Sequence, residues 1–455
     1  MTRRIRLLYV ANKRLPDSDY RIRYAAEPLL EEAPQFEQTP FDRGGRAPCN
    51  DSAAPLRLMV LITSGVSADL LKGQLAFFRS RGFDVTLVAA PHPRLTAAAA
   101  RENITIRSLP MHREIRPLHD LVAFVRLWRL MRNVRPQIVN ASTPKAGLLA
   151  TLAAFLARVP VRIYTLRGLR LETARGLTWH ILAFAERVAS ACAHRVICVS
   201  QSLADEFVSL DLADPDKVAV LGAGSSNGVH AEAFERTASR LSQARRLREQ
   251  FGIAAHDPVI GYVGRLTRDK GIAELVRAFA QVTERFPAAR LLLVGDFETG
   301  DPPDEAVVDR IKKDPRIIKS GFVGDVTPYY HLMNVLALPS YREGFPNCVL
   351  EAQAASLPVV GTRATGVVDA IVDGATGRLV PVGAVDELAD ALIAYLDKPG
   401  LAAQHGMAGR RRVAQEFRPH RIWTALEDEY NRLVVDAALP TETNAISHSL
   451  KSHAA

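Results

Sequence analysis

The chain has 455 residues, of which 48% are hydrophobic and 24% charged, an ordinary balance for a water-soluble protein with room for two or three domains. No run reaches the roughly 18 apolar residues of a membrane span, and the Arg-rich start lacks the apolar core of a secretory signal. The four cysteines, Cys49, Cys192, Cys198 and Cys348, offer neither paired metal spacing nor a disulfide framework, which favours the reducing cytoplasm. The net charge of +9 is uneven: residues 1–54 carry 9 basic and 8 acidic side chains, 55–230 carry 22 and 12, and 231–455 carry 27 and 29. The excess in 55–230 points to an anionic partner, namely a phospholipid surface, a pyrophosphate-bearing molecule or nucleic acid, or else to arginine-rich solvated helices.

Residues 1–54 have little periodicity and read as a poorly ordered extension. From Leu56 the pattern changes. Arg57 to Ile62 is a buried-strand run, followed by a turn at Thr63-Ser64-Gly65, a helix to about Ser80 and a second strand from Phe83 to Ala89. Such a β-loop-α-β unit opens a parallel sheet. Further strands are expected near Ile104, Ile138, Val161, Arg195 and Val218, giving an α/β domain over about 55–230. Gly222 to Gly228 has the chemistry of a hinge. A charged helix near Leu241–Gln250 then leads into a second β/α series over 231–419, with strands near Val259, Leu291, Ile317, Val335 and Val359. A helix over 420–439 returns towards the first domain, and 440–455 is a polar tail read as disordered. Two such halves with a hinge enclose a cleft, and parallel sheets bind ligands at the carboxyl ends of their strands.

The stretch Pro339-Ser340-Tyr341-Arg342-Glu343-Gly344-Phe345-Pro346-Asn347-Cys348-Val349-Leu350-Glu351 joins an apolar strand, Val335 to Leu338, to a helix beginning near Pro346. The free amides at that helix start, with the positive end of its dipole, suit a phosphate. Glu343 and Glu351 bracket the same point. Acids beside an anion site repel phosphate, so they are suited to a neutral, hydroxyl-rich group attached to it, and a nucleotide sugar has that chemistry. The loop Gly261-Tyr262-Val263-Gly264-Arg265-Leu266-Thr267-Arg268-Asp269-Lys270-Gly271 follows the first strand of the second half. It brings the cations Arg265 and Lys270 to the same sheet edge, although alone it reads more readily as a solvated turn.

Together, Gly264-Arg265, Lys270-Gly271, Pro339-Ser340, Glu343-Gly344-Phe345-Pro346 and Glu351-Ala352 resemble the retaining glycosyltransferases of family 4. The resemblance covers Leu56 to about Ala438. It implies the GT-B architecture, an α/β fold of two Rossmann-like domains facing across a cleft. It also implies transfer of a sugar from a nucleotide-sugar donor, of which a UDP-sugar is the expected kind, with neither a cofactor nor a metal. Carried over, Glu343 would bond the sugar hydroxyls and Glu351 the ribose hydroxyls. Gly264, Gly344, Phe345, Pro346 and Asn347 would line the donor site, and Arg265 and Lys270 would stabilise the departing diphosphate.

Thr143-Pro144-Lys145-Ala146-Gly147 and Arg162-Ile163-Tyr164-Thr165-Leu166-Arg167-Gly168-Leu169 look like a bacterial subgroup that extends polyprenyl-diphosphate-linked saccharides in surface-polysaccharide and glycan assembly. Lys145 and Arg167 would then hold the acceptor diphosphate, or they are a helix-start lysine and a surface arginine. Where many relatives have a His, this chain has Asn140-Ala141-Ser142-Thr143, so that acceptor contact does not carry over. His112 and His119 read as surface residues. The helix Leu118–Arg135 reads first as an ordinary amphipathic helix packed on the sheet and alternatively as one lying on the anionic inner leaflet; the expected place is the cytoplasm, with a peripheral position at the inner membrane on the second reading. Nucleic acid is not an expected partner on this reading. The rival functions are a sugar-nucleotide epimerase or hydrolase of the same fold, and a non-catalytic sugar-nucleotide-binding scaffold.

Overall fold

A computed structural model describes residues 55–438 apart from Arg113, Ile115 and Thr299. The expectations for 1–54 and 440–455 lie outside the described residues.

The first sheet is built from β1 (Arg57–Ser64), β2 (Asp84–Ala90), β3 (Thr105–Ser108), β4 (Ile138–Ser142), β5 (Val161–Leu166), β6 (Arg195–Cys198) and β7 (Val218–Val220). Its order is β3-β2-β1-β4-β5-β6-β7 with every pairing parallel. The second sheet contains β8 (Val259–Val263), β9 (Arg290–Val294), β10 (Ile317–Gly321), β11 (Val335–Leu338), β12 (Val359–Thr362) and β13 (Gly377–Val380). It repeats the pattern in the order β10-β9-β8-β11-β12-β13, again all parallel. In each sheet the chain reverses its direction of growth between the first and fourth strands. This leaves a crevice at their carboxyl ends, where such sheets bind ligands.

The strands lie between two helical layers, so their sequences are continuous apolar runs. Leu58 to Ile62 are buried without a break, as expected of a strand covered on both faces. The helices bury one stripe each: Ile272–Arg285 turns Ile272, Leu275, Val276, Phe279 and Val282 inward, the i, i+3, i+4, i+7 spacing of an amphipathic helix. Strand β13 was not anticipated. It has four residues, with Arg378 exposed in the middle, too short and too polar for a periodic signal.

The last helix, Pro419–Ala438, lies against the first sheet. The Tyr430 hydroxyl accepts a 2.7 Å hydrogen bond from the Asn140 amide in the middle of β4, and its ring packs 5.2 Å from that of Phe78. Arg81 donates to both Glu427 carboxylate oxygens at 2.9 Å, and Arg195 reaches Glu429 at 2.6 Å. The glycine-rich connection is tied down too: the Asn227 side chain donates to the Lys72 carbonyl and accepts from the Trp423 indole at 2.7 Å. These polar bridges join distant segments at defined atoms and fix where the helix sits.

Candidate active site

Two loops meet at the crevice of the second sheet, one after β8 and one after β11. Their approach depends on Gly271, whose φ of 69° lies in the left-handed region; a Cβ there would sit 2.0 Å from the Pro339 carbonyl. With glycine in that place, the residue before it, Lys270, can reach across to the facing loop. Its ammonium donates to Glu343 Oε1 at 2.6 Å, and the Ser340 hydroxyl donates to the same oxygen at 2.9 Å. Lys270 and Glu343 are only 13% and 15% exposed, so the pair sits in the crevice wall.

The helix Asn347–Ala354 starts at this point. Pro346 is its cap in extended geometry with φ −79° and ψ 103°, not its first helical residue. Among the described residues the amides of Gly344, Phe345, Asn347 and Cys348 donate to no protein acceptor. They are the orphan donors of a helix N-terminus, aimed where an anion is stabilised. One turn on, Glu351 Oε2 accepts a 2.7 Å hydrogen bond from the Tyr330 hydroxyl. Burial raises the Glu351 carboxyl above its ordinary range, and the Tyr330 bond offsets this in part. The Phe345 side chain is buried, its ring 5.3 Å from Phe417, so what it offers the crevice is backbone.

Arg265 stands at the rim, 57% exposed and paired with Glu298. Gly264 carries φ 152°, beside the hydroxyl of Tyr262. Asp269 joins the cluster by accepting from Thr267 at 2.5 Å and pairing with Arg342 at 2.8 Å. Burial alone would raise its carboxyl, but the Thr267 hydrogen bond and the charges of Lys270, Arg342 and Arg265 together hold it below its ordinary value.

The β11 loop is also fastened to the first half. Gly344 lies so close that a Cβ would sit 2.1 Å from the Arg167 carbonyl, and its own carbonyl accepts from Ser200 Oγ at 2.7 Å. Arg342 donates to Thr173 at 3.0 Å. Asp369 caps the helix Gln201–Ser209 across the crevice, accepting from the amides of Gln201 and Ser202 at 3.0 and 3.2 Å, with the Ser202 hydroxyl on its second oxygen. The Ser202 hydroxyl accepts in turn from the Gly366 amide at 2.7 Å.

In the first half, the guanidinium of Arg167 lines a cavity of about 20 Å³, room for about one water molecule, together with Asn140, Ser142, Thr165 and Ser225. Its Nε and Nη1 are buried and find no partner among the described residues. Burial lowers its pKa to about 10. Lys145 is engaged differently: its ammonium lies 2.8 Å from Asp120 and also donates to the Glu114 carbonyl. His112 and His119 stack edge to face, 5.2 Å apart.

Glu343, Lys270, Glu351 and the Gly344–Asn347 backbone are thus brought to one crevice, with Gly264 and Arg265 at its edge. Sequence reasoning missed Tyr330, Asp269, Ser200, Ser202 and Asp369. Asp269 and Ser340 lay inside the quoted motifs and their polarity was visible. Tyr330 sits in a four-residue helix, Thr327–Tyr330, and nothing local distinguishes it. Asp369 acts on a helix 167 positions earlier in the chain, a partnership no local pattern encodes.

Comparison with known proteins bears on the family and the fold. Residues 74–225 match the family described as Glycosyltransferase Family 4, and residues 257–398 match the one described as Glycosyl transferases group 1. The capsular polysaccharide biosynthesis glycosyltransferase CapM of Staphylococcus aureus is 36% identical over 383 residues, covering 84% of this chain and 98% of that protein. An Escherichia coli protein, UDP-Gal:alpha-D-GlcNAc-diphosphoundecaprenol alpha-1,3-galactosyltransferase, is 25% identical over 84% of this chain and 97% of its own length. Among solved structures, Anabaena HepE in complex with UDP and glucose superposes with a TM-score of 0.69 at 21% identity, over 83% of this chain and all of that one; this likeness establishes the shared fold. With a family match in each half and a relative 36% identical over nearly its whole length, the chain belongs to the family 4 glycosyltransferases of GT-B architecture.

Proposed function

We propose that the chain transfers a hexosyl or N-acetylhexosaminyl group, with retention, from a UDP-sugar to a polyprenyl-diphosphate-linked saccharide in capsule or related surface-glycan assembly, with no metal ion. The observation that carries the reading is the Lys270–Glu343–Ser340 cluster beside the unbonded amides of Gly344 to Cys348. The amides and Lys270 would hold the donor phosphates, and Glu343 would orient the sugar hydroxyls. Glu351, with one oxygen held by Tyr330, would present the other to the ribose. The names of the Staphylococcus and Escherichia relatives support the polysaccharide setting and the lipid-diphosphate acceptor, and HepE with UDP supports the nucleotide.

In the proposed step the anomeric carbon–phosphate oxygen bond breaks and a bond to the acceptor hydroxyl forms on the same face. The hydroxyl proton passes to the departing phosphate oxygen. Negative charge grows on the diphosphate, where Lys270, Arg265 and the amides stabilise it, and the closed crevice supplies positioning. Arg167, a buried guanidinium whose Nε and Nη1 find no partner among the described residues, would meet the acceptor's phosphate only if its one-water cavity opened. Lys145 would have to leave Asp120 to take part.

The test is a panel of UDP-sugars with extracted polyprenyl-diphosphate glycans, reading the anomeric configuration of the product by NMR. Transfer with retention, abolished in folded Glu343→Ala and weakened in Arg265→Ala, is expected. Wild-type rates in both variants would overturn the assignment, and epimerised donor appearing with no acceptor present would replace it with the epimerase reading.

A further inference from the structure

We infer that the helical layer carrying Pro117–Val134, Pro144–Leu156 and Gly176–Cys192 is a docking face for an anionic bilayer surface. The inference rests on the proposed lipid-linked acceptor for its purpose, but on separate residues for its evidence. The three helices pack side by side. Pro117–Val134 buries Ala123, Leu127 and Met131 against the sheet, which satisfies its need for an inner apolar stripe. It is nevertheless apolar on the outside. Leu118 is 79% exposed, and Leu121 and Val122 are exposed beside it; the stripe 118, 122, 125, 129, 132 then ends in Arg129 and Arg132. Gly176–Cys192 repeats this with Leu177 at 75% and Phe184 at 69% exposed and Ile181 between them, spaced i, i+4, i+7 on one face. A helix with core on one side and large apolar side chains on the other has an unpartnered face.

Charge identifies the occupant. Between positions 116 and 192 there are 12 basic and 3 acidic residues. Arg116, Arg126, Arg129, Arg132, Arg175 and Arg187 are among the exposed ones, whereas none of Asp120, Glu172 and Glu186 is. Exposed leucine and phenylalanine ringed by an excess of arginine, with Glu114 the exposed acid beside them and paired to Arg116, fits the interface of a bilayer containing anionic lipid. A second copy of the same face would bring like charges together and be repelled.

The position suits the reaction. Both apolar clusters begin in the first turn of their helices, at Leu118 and Leu177, with Phe184 about two turns further on, and in a parallel sheet the first turns stand at the carboxyl ends of the strands, on the crevice side. Thr173, which receives the hydrogen bond from Arg342 of the β11 loop, precedes Leu177 by four residues, at most about 14 Å of chain. Seating Leu118, Leu121, Leu177 and Phe184 in the interface would hold the crevice mouth at headgroup depth, where the diphosphate of a lipid-linked saccharide lies.

The experiment is co-sedimentation of the full chain with vesicles of phosphatidylcholine alone and with about one-third phosphatidylglycerol, at low and high salt. Wild type is expected to pellet with the anionic vesicles only, less so at high salt. The triple variant Leu118→Gln/Leu177→Gln/Phe184→Gln should bind at least tenfold more weakly. The second variant Arg129→Gln/Arg132→Gln should lose about fivefold per arginine. Each is checked for an unchanged melting temperature, and both should keep wild-type transfer to a detergent-solubilised acceptor. Equal pelleting with neutral and anionic vesicles, no pelleting with either, or a wild-type dimer that the triple variant dissolves would overturn the inference. Vesicle binding without sugar transfer would leave it standing and defeat the proposed function instead.

Discussion

Replacing Lys270 by methionine keeps the length of the side chain and removes its charge, so it isolates what the ammonium does in the crevice. At an effective dielectric of about 20, charges 2.6 Å apart attract by about 6 kcal/mol, most of which is offset by the cost of taking both out of water. The two side chains are 13% and 15% exposed, between a surface pair worth about 0–1 kcal/mol and a buried one that costs about 3–5 kcal/mol to break. We therefore expect Lys270→Met to lose about 2 kcal/mol of stability, seen as a fall in melting temperature of several degrees. The kinetic effect is expected to be larger. Removing a preorganised donor from a developing negative charge costs about 10²–10³ in kcat, whereas ground-state binding of the donor is shared with four unbonded amides, so KM should change less than about tenfold. Steady-state kinetics over a donor series separates the two. Lys270→Arg, which keeps the charge and alters its geometry, should recover part of kcat and most of the stability. A folded Lys270→Met enzyme with kcat within about threefold of wild type would refute the role given to this residue.

Gly344→Ala introduces a Cβ 2.1 Å from the Arg167 carbonyl and forces the β11 loop away from the first half. It should cost about 1–3 kcal/mol in thermal unfolding and about 10²-fold in kcat/KM through misplacement. Glu351→Gln should raise the donor KM about tenfold. Because burial raises the Glu351 pKa, wild-type donor affinity should fall with decreasing pH earlier than an ordinary glutamate would allow, and the Gln variant should show no such step. Glu186, buried and hydrogen-bonded by Tyr164 at 2.8 Å, has its pKa pushed by burial from 4.5 up to about 7. Its folded form binds the proton more tightly. That contribution, about 3 kcal/mol, is full below pH 4.5 and is lost as pH rises through about 7. Melting curves of Glu186→Gln should therefore be flatter over this range than those of wild type.

The two halves of the crevice differ in how much the sequence reveals. The donor side is built mainly from two short stretches, each of which carries its chemistry locally. Lys270 precedes Gly271 and its helix, Glu343 sits on the loop, and Glu351 follows within one helix, so each role can be inferred from local spacing and the chemistry of a helix start. The strands were legible because both faces are covered, which leaves unbroken apolar runs such as Leu58 to Ile62; β13 was lost because it exposes Arg378 and has too few residues to establish a pattern. Arg167 could be placed at a strand end, but not in a cavity beside Asn140, since that burial depends on the returning helix and Tyr430. Lys145 reads as a diphosphate contact or a helix-start lysine, and its pairing with Asp120 depends on how two helices pack.

The least legible feature is the coupling between the halves, and it has a mechanistic consequence. The loop that carries Glu343 and the helix-start amides has its Gly344 carbonyl bonded by Ser200, its Arg342 on Thr173, and the neighbouring Gly366 amide on Ser202, whose helix is capped by Asp369. Each contact joins residues more than 140 positions apart, so only the closed fold brings them together. In this closed arrangement the donor loop is held partly by the acceptor half. A substitution at Ser200 or Asp369 touches neither carboxylate nor cation of the crevice, yet it should alter kcat by displacing Gly344 and Glu343 together. A change in donor affinity alone would mean that the loop holds its shape without the first half.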